Sequence, residues 1–229
     1  MYNQWRAKQR PVAGGVDPIN SDYAQRYSQG EWSSFSPALI DLLEDKVGGL
    51  EGKRVLDLGG GPGQYAIAFA KRGARVTWLD ISRNYMSIAQ TQAAAHGVEV
   101  AFSLGYMEEA SRFLEAPFDL VFNRICWFYC MNDRRFAELV HNLIRPGGWG
   151  FIENYINPPH GLRRMRYWLN ACTGIKVGYP PPPPKRLKKL FEHFPDLEVE
   201  MTLVPIHNER YLLARHGPDL HLAAGTQVV

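Results

Sequence analysis

Cysteine is scarce in this sequence: three among 229 residues, Cys126, Cys130 and Cys172. An odd, sparse set excludes a disulfide framework and points to a reducing compartment. Cys126 and Cys130 are close in sequence, but no second pair of zinc spacing accompanies them. They read as buried thiols, and no metal is expected. Long apolar runs are also missing, and none approaches a membrane span. The polar, basic start "MYNQWRAKQR" has no apolar segment behind it, so a secretory signal is not expected and a cytoplasmic location is. Neither sign of charge is in great excess. The formal net charge is +3, too mild to argue by itself for nucleic acid. There is no internal repeat, and the one low-complexity segment is 180–184. What remains is 45% hydrophobic and 21% charged, as in an ordinary globular chain with room for a substantial core.

The order of elements is legible from periodicity. "DYAQRY" is helical up to a break at Gly30, and "SPALIDLLEDKV" opens a second helix with Ser36 as N-cap and Pro37 at its first position. From Lys53 strands and helices alternate: "RVLDL", "GQYAIAFAKRG", "RVTWLD", "SRNYMSIAQTQAAAHG", "VEVAFSL", "FDLVFN", "DRRFAELVHNLI" and "WGFIENYI". Phe136, Leu139, Val140, Leu143 and Ile144 follow amphipathic-helix spacing, and Pro146-Gly147-Gly148 is expected to stop that helix. His141 falls on its polar side and reads as solvated. "DLEVEMTLVPI" and "ERYLLARH", joined by "HN", read as an antiparallel hairpin at the end of the sheet. The expected fold is α/β: a seven-stranded, mainly parallel sheet with helices on both faces and a C-terminal antiparallel hairpin. Ligands of such sheets bind beyond the carboxyl ends of the strands. Asp57, Asp80, the "LGYME" turn and Asn123 all fall there.

The stretch "VLDLGGGPGQYA", Val55–Ala66, does not carry the dinucleotide fingerprint G-x-G-x-x-G, because Gln64 or Ala66 stands at the sixth position. It reads D-x-G-x-G-x-G instead. A helix N-terminus and free loop N–H groups would suit a pyrophosphate, but Asp57 would repel one. A zwitterion suits the site better, with its carboxylate on the loop and its ammonium near an acid. Asp80 is placed to accept from a ribose diol. An amino-acid head plus a ribose is S-adenosylmethionine.

Taken in order, "VLDLGGGPG", "VTWLD", "FDLVFNRICWFY" and "LIRPGGWGFIENY" resemble the motifs of a class I S-adenosylmethionine-dependent methyltransferase. The likeness covers about Lys53–Tyr155, extended by the hairpin to about Arg215. It implies that Asp57 and the loop of Gly59, Gly60, Gly61 and Gly63 receive the methionine part. It implies that Asp80 holds the ribose hydroxyls, that Ile81 packs on adenine, and that Asn123 lines the methionine side. Tyr106, Met107 and Glu108 resemble the turn under adenine, but the usual Gly-Asp-Ala is absent. Met107 would stack on the purine, with Glu108 or a backbone carbonyl as acceptor. Tyr23 and Tyr27 share a face of the N-terminal helix, which reads as a lid or as core packing.

On the acceptor side the resemblance places Arg124, Trp127, Phe128 and Tyr129, with packing under the next helix as the alternative for the aromatics. Candidates for proton handling are His160, Tyr155 and Glu153, with His160 alternatively a helix cap. The segment between the fifth strand and the hairpin carries Arg163, Arg164, Arg166, Lys185, Arg186, Lys188 and Lys189 around apolar stripes, and "GYPPPPPK" reads as a polyproline strut. The expected partner is a small-molecule methyl acceptor, with no membrane and a monomer or homodimer. An RNA or tRNA acceptor and a non-catalytic cofactor-binding protein are the alternatives. The expected organisation is a mobile arm over 1–20, a helical lid over 21–48, a cofactor-binding core over 49–155, a substrate-side insertion over 156–195, the hairpin over 196–216 and a tail over 217–229.

Overall fold

The computed structural model describes residues 17–130, 132–155, 161–162, 165–166, 169, 185–204 and 208–217. Two helices come first, α1 (Ser21–Ser33) and α2 (Pro37–Val47). The alternating core follows: β1 (Arg54–Leu58), α3 (Gln64–Lys71), β2 (Arg75–Asp80), α4 (Arg83–Ala95), β3 (Val100–Leu104), β4 (Phe118–Arg124), α5 (Asp133–Leu143) and β5 (Ile144–Tyr155). The short helix α6 (Arg186–Phe191) precedes β6 (Leu197–Val204) and β7 (Asn208–Arg215). The seven strands form one sheet of order β3-β2-β1-β4-β5-β7-β6. Strands β1 to β5 pair in parallel, and β7 is antiparallel to both β5 and β6. Among the described residues no helix is long and apolar enough to cross a membrane.

Alternation along the strands builds two cores, because successive side chains leave a sheet on opposite faces. In β4, Leu120 and Phe122 join one cluster with Val55, Phe69, Trp78, Phe151 and Leu43. Val121 joins the other, with Leu56, Leu58, Ile152, Trp127, Phe136 and Phe191. Both faces are covered, which is why the central strands read as nearly continuous apolar runs. Leu187 and Phe191 of α6 are buried as their spacing predicts.

Several local expectations need correction. Gly30 does not break α1. The helix runs on to Ser33, and the Gly30 carbonyl accepts from the Ser34 N–H at 3.0 Å and from the Ser33 and Ser34 hydroxyls at 2.9 Å each. Ser36 stands at the N-cap of α2 but makes no side-chain cap bond. Residues 17–20 are tied down rather than mobile. Asp17 accepts from the Ser82 hydroxyl at 3.0 Å and from the Asn84 N–H at 3.1 Å, and the Asn20 side chain caps α1 at the Tyr23 N–H. Strand β5 begins at Ile144, before Pro146-Gly147-Gly148. Ile144 already pairs with Phe118, and the Pro-Gly-Gly occupies an irregularity before Leu120 pairs with Trp149. Asn208 belongs to β7 rather than to a turn. Residues 1–16, the proline strut at 180–184, Cys172, Arg163 and Arg164 lie outside the described residues, as do 218–229.

His141 is partnered rather than solvated. Its Nε2 lies 2.8 and 2.9 Å from the two Asp196 carboxylate oxygens, and its ring stacks on Phe194 at 4.4 Å. Arg215 donates to Asp196 at 2.9 Å and to the His141 carbonyl at 3.0 Å, which ties the end of α5 to the hairpin. Burial pulls the Asp196 carboxyl upward, but hydrogen bonds from His141 and Arg215 outweigh it and hold the group below its ordinary value. A depressed carboxylate stabilises the fold above its unfolded pKa and loses that contribution as pH falls through the folded value. Asp196→Asn is therefore expected to cost about 1–2 kcal/mol near neutral pH. The gap to wild type should close in thermal melts taken below about pH 4, where the unfolded-state carboxylate protonates.

Candidate active site

The carboxyl edge of the sheet gathers the loop after β1. Gly60 must be glycine for packing: a Cβ there would lie 2.2 Å from the Trp78 ring. At Gly61 the need is conformational, since φ is +49° and no atom lies within 4 Å of a built Cβ. Hydrogen bonds set the loop's shape. The Gly59 and Gly60 N–H groups donate to the Leu79 carbonyl at 2.8 and 3.2 Å, and Trp78 Nε1 donates to the Gly61 carbonyl at 3.2 Å. Gly63, in the left-handed region, then caps α3.

Two acids flank this loop. Asp80 ends β2, and its carboxylate accepts from the Gly61 N–H at 3.0 Å and from the Ser82 N–H at 2.9 Å. Burial raises it to about 6, although those N–H groups pull it down. Asp57 is buried in β1, and burial first, then the Asp80 charge, raises it to about 7. Its Oδ2 has no hydrogen-bond partner. Asn123, at the end of the adjacent strand β4, is fully buried. Its Nδ2 donates to the Leu58 carbonyl at 2.8 Å and lies 2.9 Å from Cys126 Sγ, and its Oδ1 is also unpartnered. Two orphaned acceptors on neighbouring strands, next to raised carboxylates, fit a cationic group that brings N–H donors. A dinucleotide phosphate would meet acids there.

The turn after β3 is tied to the same edge, with the Gly105 N–H on the Asp80 carbonyl at 2.9 Å. Tyr106 and Met107 are buried, Ile81 and Glu108 half-buried, and Met107 Sδ lies 3.9 Å from Asn123 Nδ2. Helix α1 closes from the side. Tyr27 stacks on Tyr23 at 5.9 Å and meets Tyr85 at 5.8 Å. Burial, then Glu31, pushes the Tyr27 phenol upward.

Glu31 is a site residue that sequence reasoning missed. It accepts from Gln64 Nε2 at 3.0 Å, from Arg124 Nη1 at 3.2 Å and from the Tyr27 hydroxyl, and so joins α1 to α3 and β4. Its position one helical turn after Tyr27 was the available signal. Arg124 also lies 5.3 Å over the Tyr65 ring and 3.6 Å from Glu153. The next residue, Ile125, has φ +53°. A β-branched side chain there is strained by about 1–3 kcal/mol, a cost that clusters at functional sites. Its N–H is held by the Glu153 carbonyl at 2.8 Å.

The acceptor-side residues divide. Trp127 is fully buried, 4.6 Å from the Phe136 ring and 5.6 Å from the Phe191 ring, with Nε1 on Asp133 at 3.1 Å. It belongs to the core beneath α5 and α6. Phe128 and Tyr129 are half-buried, with rings 4.3 Å apart, and the Tyr129 phenol acts electrostatically on both Tyr27 and Tyr85. Glu153 is buried and its oxygens are engaged: Asn208 Nδ2 at 2.7 Å, Arg210 Nε at 3.0 Å. The Tyr155 side chain and the whole of His160 lie outside the described residues. Cys126 and Cys130 are buried, and no cluster of three metal-type ligands occurs among the described residues.

A family model described as a methyltransferase domain matches residues 55–148. The ubiquinone biosynthesis O-methyltransferase of Aeromonas salmonicida (strain A449) is 32% identical over 130 residues, 57% of this chain and 55% of that protein. Its counterpart in Cronobacter sakazakii is 28% identical over 179 residues, 74% of this chain and 71% of that protein. The match thus spans little more than half of the Aeromonas relative. A candidate S-adenosyl-L-methionine-dependent methyltransferase from Methanococcus maripaludis aligns with a TM-score of 0.64 at 14% identity, covering 88% of this chain and 95% of that one. The [4+2]-cyclase SpnF aligns at 0.62 and 16% identity, covering 79% and 80%. Those two likenesses are of fold, and a fold does not by itself name a reaction.

Proposed function

We propose, for a chain that carries a class I methyltransferase domain over residues 55–148, that it transfers a methyl group from S-adenosylmethionine to a small hydroxylated molecule. The observation that carries the reading is the pair of buried acceptors without donors, Asp57 Oδ2 and Asn123 Oδ1. The names of the two curated relatives, both ubiquinone biosynthesis O-methyltransferases, support oxygen as the accepting atom. The half-buried Phe128–Tyr129 pair supports an aromatic acceptor. Arg186 pairs with Asp133 at 2.9 Å and Lys188 with Glu192 at 3.4 Å, so part of the basic helix is neutralised locally, which favours a small molecule over RNA.

The methionine ammonium would be held by Asp57 and Asn123, the ribose by Asp80 and the purine between Ile81 and Met107. The loop glycine N–H groups are already engaged by Leu79, Asp80 and Gly60, so the methionine carboxylate would fall to the N–H groups of the first turn of α3. When bound, S-adenosylmethionine supplies an electrophilic methyl group on a sulfonium. The chain's own contribution is alignment and dryness, which in favourable cases is worth roughly 7–11 kcal/mol. Helix α1, anchored through Glu31, excludes water from the side. A hydroxyl acceptor must release its proton. His160, which follows β5 in the sequence, is the proposed acceptor of that proton, with Tyr155 at the end of β5 as the second candidate. Glu153, engaged on both oxygens, is proposed to hold Asn208 and the two arginines.

The raised acids make this reading testable by pH. Their folded pKa values, about 7 and about 6, stand above the unfolded one, so the ligand-free fold gains from their protonated forms. That gain is lost as pH rises through the folded values. A cationic head on the ligand favours the ionised acids, so binding should strengthen over the same range. S-adenosylhomocysteine is expected to bind roughly tenfold more weakly at pH 6 than at pH 8 by calorimetry. Its stabilisation of the fold in thermal melts should grow with pH. A flat affinity across that range would remove Asp57 from the ligand's ammonium.

A further inference from the structure

Strand β7 runs antiparallel to β5, so its first residue, Asn208, pairs with Tyr155 at the ligand edge of the sheet. We infer that Asn208 is a specificity-determining residue whose side-chain oxygen accepts a hydrogen bond from a second hydroxyl or N–H of the methyl acceptor. The inference rests on the methyltransferase reading above.

The orientation of this amide is decided by its neighbour. Asn208 Nδ2 donates to Glu153 Oε1 at 2.7 Å, and a carboxylate only accepts, so the nitrogen must face it. The amide oxygen is left buried and without a donor. A buried acceptor left unpaired is costly and calls for a partner. Glu153 cannot turn away to change this, because Arg210 holds its other oxygen at 3.0 Å with Arg124 at 3.6 Å. Arg124 continues to Glu31 at 3.2 Å, and Glu31 to Gln64 at 3.0 Å, at the start of the helix behind the glycine loop. A continuous row of polar contacts therefore joins Asn208 to the cofactor loop.

The charge of this row narrows the ligand. Glu31 and Glu153 are balanced by Arg124 and Arg210, so the row asks for no further ion. At the Asn208 oxygen a neutral donor fits and a carboxylate or phosphate does not; the row's own unbonded donor, Arg124 Nε, faces Glu153 at 3.6 Å. An amide oxygen is too weak a base to take a proton, so the contact recognises rather than catalyses. It must also survive the loss of the accepting hydroxyl's own proton. The donor therefore belongs to a second group on the substrate.

Catechol and phenol differ by one hydroxyl, a second donor, and serve as probes, titrated by calorimetry into the protein saturated with S-adenosylhomocysteine. Wild type is expected to bind catechol at least tenfold more tightly than phenol. Asn208→Leu should bring catechol down to the phenol level while the affinity for S-adenosylhomocysteine stays within twofold. Asn208→Ala withdraws the amide oxygen with little added bulk and leaves Glu153 held by Arg210. It should lose the same preference, and it serves if the leucine variant fails to fold. Catechol and phenol binding alike in wild type, catechol failing to bind, or either variant retaining the preference would each overturn the inference. Failure of S-adenosylhomocysteine itself to bind would strike the proposed function instead.

Discussion

Asp80→Ala is expected to weaken S-adenosylhomocysteine binding by at least about a hundredfold. Hydrogen bonds to a charged group contribute roughly 1.5–3 kcal/mol each, and a ribose diol offers two donors to one carboxylate. A combined loss of about 3 kcal/mol corresponds to that factor. Asp80 also organises the site without a ligand, because its carboxylate takes the Gly61 and Ser82 N–H groups. Its removal loosens the loop while it relieves Asp57, whose upward shift owes part of its size to the Asp80 charge. The variant should therefore lose affinity and also lose part of the pH dependence of binding. Asp80→Asn keeps one acceptor and should fall between the two proteins. Calorimetric affinity for Asp80→Ala within threefold of wild type would remove Asp80 from the nucleoside site.

Trp127→Ala is expected to destabilise the fold by about 3–5 kcal/mol, as for a large aromatic cut out of a packed core. In a chain of this size that lowers the melting temperature by roughly 6–20 °C. The side chain is fully buried between Phe136 and Phe191, and its indole N–H is satisfied by Asp133, so the change leaves a cavity and an unpaired carboxylate oxygen. Denaturant titration reads the loss directly. Below the variant's own melting range, affinity for a small aromatic acceptor should be nearly unchanged. Unchanged stability with weakened acceptor binding would instead return Trp127 to the pocket wall. The neighbours Phe128 and Tyr129 are half-buried, Tyr129 acts electrostatically on the tyrosines of α1 and α4, and in the proposed function the pair carries the aromatic surface of the site.

The alternation of strands and helices, the loop after β1, and the acids that end β1 and β2 were all legible in the sequence. Each depends on interactions within a few residues: period-two or helical burial, a glycine where φ is positive, an acid at the end of an apolar run. The hairpin closing the sheet was legible for the same reason. Other features depended on partners far away along the chain. Trp127 lies in the same short run as Phe128 and Tyr129, and only the packing of α5 and α6 over one sheet face separated core from rim. Glu31 meets Arg124 across 93 positions, and Glu153 meets Arg210 across 57. Nothing in the local pattern of either segment announces such a pairing. The left-handed turn at Ile125 is likewise outside any propensity, since β4 ends at the residue before it and the Glu153 carbonyl of β5 holds its N–H. Local chain chemistry thus determined where the cofactor edge lies. The docking of separate elements decided which polar atoms on that edge remain without partners, the atoms on which the proposed function rests.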